Sequence, residues 1–152
     1  MIKHKFISTN SRLIESLLEH RFLYDVGKHL LLAKKPGVLN VLKSEVDMFG
    51  IDLVLATHNQ TVHIQMKTRS GKPTGSPFNL SEQLWKLPRA GTIWMLYDTG
   101  TFEPTSYSVL GFPMPAINGF KKSDRRGFRS VKMRQANHRH LTIGAVTDLL
   151  FP

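Results

Sequence analysis

The chain has 152 residues, with 21 Lys and Arg against 11 Asp and Glu, a formal net charge of +10, and no cysteine. That length suits one domain of ordinary size, and an apolar share of 41% with 21% charged residues excludes the disordered and low-complexity classes. The missing cysteines exclude disulfides, thiolate zinc sites and cysteine nucleophiles, and no apolar run approaches the ~20 residues of a membrane helix.

Met1-Ile2-Lys3-His4-Lys5 is basic, but only isolated apolar residues follow before Glu15, so no secretory signal is expected. The expectation is a soluble cytoplasmic domain spanning 1–152. Asn10 or Ser11 can cap a first helix, in which Leu13, Ile14, Leu17, Leu18, Phe22, Leu23 and Val26 recur in steps of three and four. The helix can continue through Leu30–Leu32 before Lys34-Lys35-Pro36-Gly37 ends it. Glu15 and Glu19 lie four apart on it and project to one side.

Three short apolar runs follow. Val38–Leu42 leads into Ser44-Glu45-Val46-Asp47, and Gly50–Ala56 reads as a buried strand. Thr57-His58-Asn59-Gln60 makes a hairpin-length turn into Thr61–Lys67, where Val62, Ile64 and Met66 share one face and His63, Gln65 and Lys67 the other. Ser70–Pro77 reads as a loop, a flap beside Lys67 that can follow a nucleic-acid backbone; it lacks the Gly-Lys-Ser/Thr ending of a phosphate-binding loop. Asn79 or Ser81 can cap a short helix carrying Leu80, Leu84, Trp85 and Leu87 that stops before Pro88. Thr92–Tyr97 reads as a buried strand and Ser106–Leu110 as another, with Leu141–Phe151 a final strand or short helix. The order is an αβββαβ core, which argues for an α/β fold with a mixed central sheet flanked by helices. Trp85 and Trp94 fall in apolar patterns and are expected in the core.

The positive charge is concentrated in the basic, loop-rich segment 112–140. Lys121, Lys122, Arg125, Arg126, Arg129, Lys132, Arg134 and Arg139 stand against one acid, Asp124. Such a patch attracts polyanions, and with Lys72 its residues are the expected nucleic-acid contacts: Lys121, Lys122, Arg125, Arg126, Arg129, Lys132 and Arg134. The bland alternative is a solvated basic face. His138 and His140 would share one side of an extended strand, but no third zinc ligand stands nearby.

The chemistry-bearing set is the strand pair. A tight turn between the second and third strands brings Asp52 near Gln65 and Lys67, and Glu19 or Glu15 can add a carboxylate. Phosphodiester hydrolysis uses a hard divalent ion with oxygen ligands, and Asp52, the Gln65 amide oxygen, the Met66 carbonyl and Glu19 supply such a shell for Mg²⁺ or Mn²⁺. Lys67 would orient water and stabilise developing negative charge. With Gln in place of Glu at position 65, the shell has one formal negative charge fewer. Glu45 and Asp47 could add a ligand, although a turn role suits them better. Taken singly, each of these residues also fits an ordinary polar surface.

Glu19, Gly50-Ile51-Asp52 and Gln65-Met66-Lys67 together resemble the core motif of the PD-(D/E)XK nucleases, in the Gln-x-Lys form of Mrr-type restriction endonucleases. Holliday-junction resolvases share the layout with Glu in place of Gln, and small uncharacterised bacterial proteins look similar over Ser44–Leu55 and His63–Lys67. The resemblance covers about residues 12–97 and implies a restriction-endonuclease-like fold. It further implies a metal-binding Asp52, a second-motif Gln65, a catalytic Lys67 and a helix glutamate at Glu19, with Glu15 as its competitor. The expected activity is metal-dependent cleavage of nucleic acid, DNA first, with a homodimer as one assembly. The alternatives are a catalytically silent nucleic-acid-binding module of the same fold and a partner subunit whose basic segment meets an acidic protein.

Overall fold

A computed structural model describes residues 4–35, 39–44, 50–71 and 75–152. Glu45, Asp47, Lys72, Pro36, Gly37 and Val38 lie outside the described residues. Two helices open the chain, α1 (His4–Thr9) and α2 (Ser11–Leu32), followed by β1 (Asn40–Lys43), β2 (Leu53–Ala56) and β3 (Thr61–Ser70). Next come β4 (Phe78–Ser81), a 3₁₀ turn at Glu82–Lys86, β5 (Ala90–Tyr97) and β6 (Pro104–Gly111). The remainder holds β7 (Lys121–Lys122), β8 (Phe128–Val131), β9 (His138–Leu141) and α3 (Ile143–Leu150).

The central sheet has the order β1-β2-β3-β5-β6-β9, and a second sheet has the order β4-β8-β7. Only β3 and β5 run parallel; the other neighbours in the central sheet are antiparallel, so it is mixed and helices flank it. One face of the central sheet meets α2 through Ile14, Leu18, Phe22, Val26 and Leu30, which contact Leu53, Leu55, Val62, Ile64, Ile93 and Met95 along with Val146 and Leu150 of α3. Burying each such side chain contributes about 1.5–3 kcal/mol. The other face packs Trp94, Leu96 and Leu110 under Leu80, Leu84 and Val131 of the second sheet and its 3₁₀ turn. All eight residues of β5 are buried, because β5 has an apolar layer on each side, and that explains its unbroken apolar run.

Several expectations change in detail. The helix α2 buries a strict four-residue stripe, leaving Leu13, Leu17, Tyr24 and Leu31 exposed. The expected helix before Pro88 is a 3₁₀ turn of five residues, capped by the Ser81 hydroxyl, which accepts from the Gln83 N–H. Between that cap and Pro88 there is too little chain to nucleate an α-helix, and Leu80 belongs instead to β4, paired with β8. The segment 112–140 is less loop-like than expected, since β7, β8 and the start of β9 lie within it. Trp94 is fully buried, as expected, and the Trp85 indole donates to the Pro115 carbonyl at 2.8 Å. The chain end closes on α2: Lys35 Nζ reaches the Phe151 carbonyl at 2.6 Å and Asp148 Oδ1 at 3.2 Å. The Lys35 hydrogen bond, with His29 adding to it, holds the Asp148 carboxyl below its ordinary range, so this tie persists above that range and fades as acid protonates the group.

The strands β5 and β6 meet at a pair of glycines, Gly91 opposite Gly111. A Cβ on Gly91 would lie 2.7 Å from the Leu110 carbonyl oxygen and 2.7 Å from the Phe112 ring. Gly91→Ala should therefore destabilise the fold by about 1–3 kcal/mol, as overpacking does. Gly27, inside α2 with nothing within 4 Å of an added Cβ, should behave oppositely, and Gly27→Ala should stabilise by about 0.5–1 kcal/mol. Chemical denaturation of the two variants beside wild type measures both signs.

Candidate functional site

Strand β3 is longer than its neighbour β2. Their pairing ends with Leu53 opposite Ile64 and a last bond from the Asp52 N–H to the Ile64 carbonyl, 2.9 Å. Beyond it, β3 runs on to Ser70 with β5 alone beside it. Residues two apart in a strand present their backbone groups to the same side, so Met66 faces the edge that Ile64 faces. There the Asp52 carboxylate replaces the missing rung: its Oδ2 accepts the Met66 N–H at 2.6 Å. In an extended strand the Met66 carbonyl points to the same side as its N–H.

A cavity of about 390 Å³ opens at this edge, lined by Glu15, Glu19, Asp52, Met66, Lys67, Thr68 and Phe78. Two elements bring the acids together. Glu19 follows the buried Leu18 on α2, so burial of the apolar stripe holds its half-buried carboxylate over the sheet, whereas Glu15, one turn earlier, is exposed. Asp52 arrives from a sharp turn at Gly50, whose φ is +64°. A Cβ there would fall 2.6 Å from Ser81 Cβ and 3.2 Å from Gln65 Nε2, so only glycine fits both the backbone and the space.

Lys67 lines the cavity from β3, and Phe78 walls it with its ring 5.9 Å from that of Trp94. Lys43 of β1, which does not line the cavity, pairs with Glu19, its Nζ 2.5 Å from Glu19 Oε1. Five of the residues picked out in the sequence therefore share one cavity: Glu15, Glu19, Asp52, Met66 and Lys67.

Gln65 is placed differently. Its side chain is 3% exposed, does not line the cavity, and its Oε1 accepts the Ser81 N–H at 3.1 Å. The expectation that its amide oxygen completes a metal shell gives way to a structural contact. Gln65 lies on the face of β3 that packs against β4, and burial there demands a partner for the amide. It fixes the cavity end of β3 to the second sheet, between Met66 and the Gly50 turn.

The donor set is all oxygen, which suits a hard cation such as Mg²⁺ or Mn²⁺. Two carboxylates and a backbone carbonyl leave the remaining positions to water and substrate, as Mg²⁺ sites ordinarily do. Among the described residues no three His, Asp or Glu side chains gather closely enough to form a ligand cluster on their own, so any ion would keep much of its water. His138 and His140 form no such cluster either, and β9 bulges between them.

The expected nucleic-acid contacts among the described residues divide into four groups. Lys121, Lys122 and Arg125 line a cavity of about 550 Å³ with Asn79 and Ser123. Lys132 and Arg134 line a smaller one of about 270 Å³. Arg126 is exposed. Arg129 is used internally: it is 13% exposed, pairs with Glu82 at 2.8 Å and donates to the Phe120 carbonyl at 3.1 Å, bracing β8 against the 3₁₀ turn. Arg125 stacks its guanidinium 3.8 Å from the Phe128 ring centre. Sequence reasoning missed Lys43, Phe78 and Ser81, whose spacing carries no signal, because each meets the site only through tertiary packing.

No protein-family model matches the chain, and no curated protein matches it. Among solved structures it is similar to Hjc, a Holliday junction resolvase from the archaeal hyperthermophile Archaeoglobus fulgidus, with a TM-score of 0.41 and 15% identity over 77% of this chain and 95% of that one. Among the described residues no helix is long and apolar enough to cross a membrane.

The Asp52–Met66 bond separates two roles of the aspartate. Asp52→Ala strands a part-buried N–H and should cost about 1–3 kcal/mol in thermal or denaturant unfolding. Asp52→Asn keeps an acceptor oxygen and should lose less than half of that, while removing the charge.

Proposed function

We propose that this protein is a metal-dependent nuclease that hydrolyses phosphodiester bonds, with DNA as its first substrate and Mg²⁺ or Mn²⁺ as its ion. The observation that carries this reading is the Asp52 carboxylate bound to the Met66 N–H at the free edge of β3, in one cavity with Glu19 and Lys67. Asp52, Glu19 and the Met66 carbonyl would hold the ion, which when bound supplies charge neutralisation and acidifies water.

The protein's own groups supply the rest. The Lys67 ammonium attracts the phosphate, orients the attacking water and stabilises negative charge gathering on the phosphoryl oxygens. The water oxygen bonds to phosphorus and gives up a proton to solvent as the P–O bond to the ester oxygen breaks, and the departing oxygen takes up a proton from solvent. Gln65, through Ser81, is a positioning residue that holds the strand carrying Lys67. Lys43 neutralises Glu19 and competes with a cation for it. The cavity of Lys121, Lys122 and Arg125 would receive backbone phosphates. One site cuts one strand, so cutting both would call for a second copy.

The Gln65–Ser81 and Lys43–Glu19 contacts favour a second reading, a nucleic-acid-binding module without catalysis, because each removes a ligand from the shell. Incubating the protein with supercoiled plasmid and with single-stranded DNA, in Mg²⁺, Mn²⁺ or EDTA, separates the two. The nuclease reading predicts metal-dependent nicking that falls at least ~100-fold in Lys67→Ala, the scale of losing one charge-stabilising donor. Salt-sensitive DNA binding with no cleavage under any condition supports the silent module. A Lys67→Ala protein that cuts as fast as wild type overturns the mechanism. Each phosphate neutralised on duplex DNA adds about 0.9 to the steepness of the log–log salt dependence, so Lys122→Ala should flatten it by about that much.

A further inference from the structure

The cavity of about 270 Å³ shares no lining residue with the carboxylate cavity; two separate elements carry its basic residues, and Gly75 completes its lining. The first is a 3₁₀ turn at Met133–Gln135. The Lys132 N–H donates to Gln135 Oε1 at 2.8 Å, the Gln135 N–H donates to the Lys132 carbonyl at 2.8 Å, and Met133 is buried beneath. The turn thereby presents Lys132 and Arg134 at the cavity wall.

The second element is an irregularity in the sheet. On β6, Tyr107 to Val109 is two steps, while their partners on β9, Leu141 and His138, are three apart. The surplus residue makes a bulge at Arg139–His140 opposite the buried Ser108, and His140 takes a left-handed backbone with φ +56°. Bulges re-aim side chains, and a non-glycine residue held in this region of backbone space is uncommon. Arg139, His140 and Ser108 all line the same cavity as Lys132, Met133 and Arg134.

Lys132, Arg134, Arg139 and His140 thus border one small space with a largely apolar wall, and Arg134, Arg139 and His140 are also exposed to solvent. Among the described residues none of them pairs with a carboxylate, although Arg21, Lys35, Lys43 and Arg129 find acids elsewhere in the fold. Like charges held together repel, and an anion between them removes that cost.

We propose that this cavity binds a terminal phosphate group, that of a nucleotide or of a nucleic-acid strand end. A phosphomonoester carries about −1.5 to −2 charge at pH 7, more than the single charge of a backbone diester, and so makes better use of these four groups. Planar guanidinium forks suit its oxygens, while Met133 and the stems of the long basic side chains offer apolar surface to sugar and base. The site stands independently of the nuclease reading, because it uses none of the residues around Asp52.

Fluorescence anisotropy in EDTA tests it, with a 3′-labelled single strand bearing either a 5′-phosphate or a 5′-hydroxyl, and a 5′-labelled strand with either 3′ end. The phosphorylated end should bind about tenfold tighter than the hydroxyl end, the worth of one charge-assisted contact. Arg134→Ala and Arg139→Ala, on different elements and with unchanged melting curves, should each reduce that preference, while Asp52→Asn should keep it. Displacement by dAMP, but not by deoxyadenosine, would identify a free nucleotide as sufficient; displacement by a phosphorylated strand alone would identify the strand end. Equal binding of phosphorylated and hydroxyl ends, or an undiminished preference in both arginine variants, overturns the proposal.

Discussion

The hydrogen bond from the Met66 N–H to the Asp52 carboxylate is the contact on which the candidate site depends. Strand β3 needs it because β2 stops four residues into the pairing, while β3 continues beside β5. An unpaired edge inside a sheet exposes backbone groups that must be satisfied, and a side chain from the end of β2 does so here. The same bond fixes an acidic group against the carbonyl edge of β3, with Glu19 above it and Lys67 beside it. A structural necessity of the sheet and a concentration of oxygen donors thus coincide at one point. The turn at Gly50 and the Gln65–Ser81 contact support it from beneath, tying the end of β2, the middle of β3 and the second sheet together.

The strongly basic chain does not form one undivided cationic face. Arg129 pairs with Glu82 within the fold, and Lys43 with Glu19. Arg126 is exposed, and the remaining cations of the 121–140 region fall into two cavities, one beside the second sheet and one at the bulged end of β9. Each is held by short elements that pack on the Trp94 side of the sheet or along its β6 edge, so the charge is mounted on ordered structure. The two cavities differ in that the first includes an acid, Asp124, among its lysines and arginine, whereas the second has a buried methionine and no carboxylate in its lining.

The strands of Asp52, Gln65 and Lys67 are legible in the sequence because a four-residue turn and strict alternation leave one way to pair them. The α2 stripe is legible in kind but not in register. Leu13–Leu17 and Ile14–Leu18 have the same spacing, and only the position of the sheet chooses between them. The fate of Gln65 is not legible, since its partner Ser81 lies sixteen residues on in a strand that exists by pairing with distant β8. For the same reason 112–140 reads as loop: β7 and β8 are too short and polar to announce themselves, and non-local pairing makes them strands.

Calorimetric titration of Mg²⁺ and Mn²⁺ into wild type and Asp52→Asn, each with a non-cleavable DNA duplex present, addresses the central claim most directly. Saturable metal binding is expected for wild type and should disappear in Asp52→Asn while the duplex stays bound. Equal metal binding by both proteins, or none by either, would contradict it.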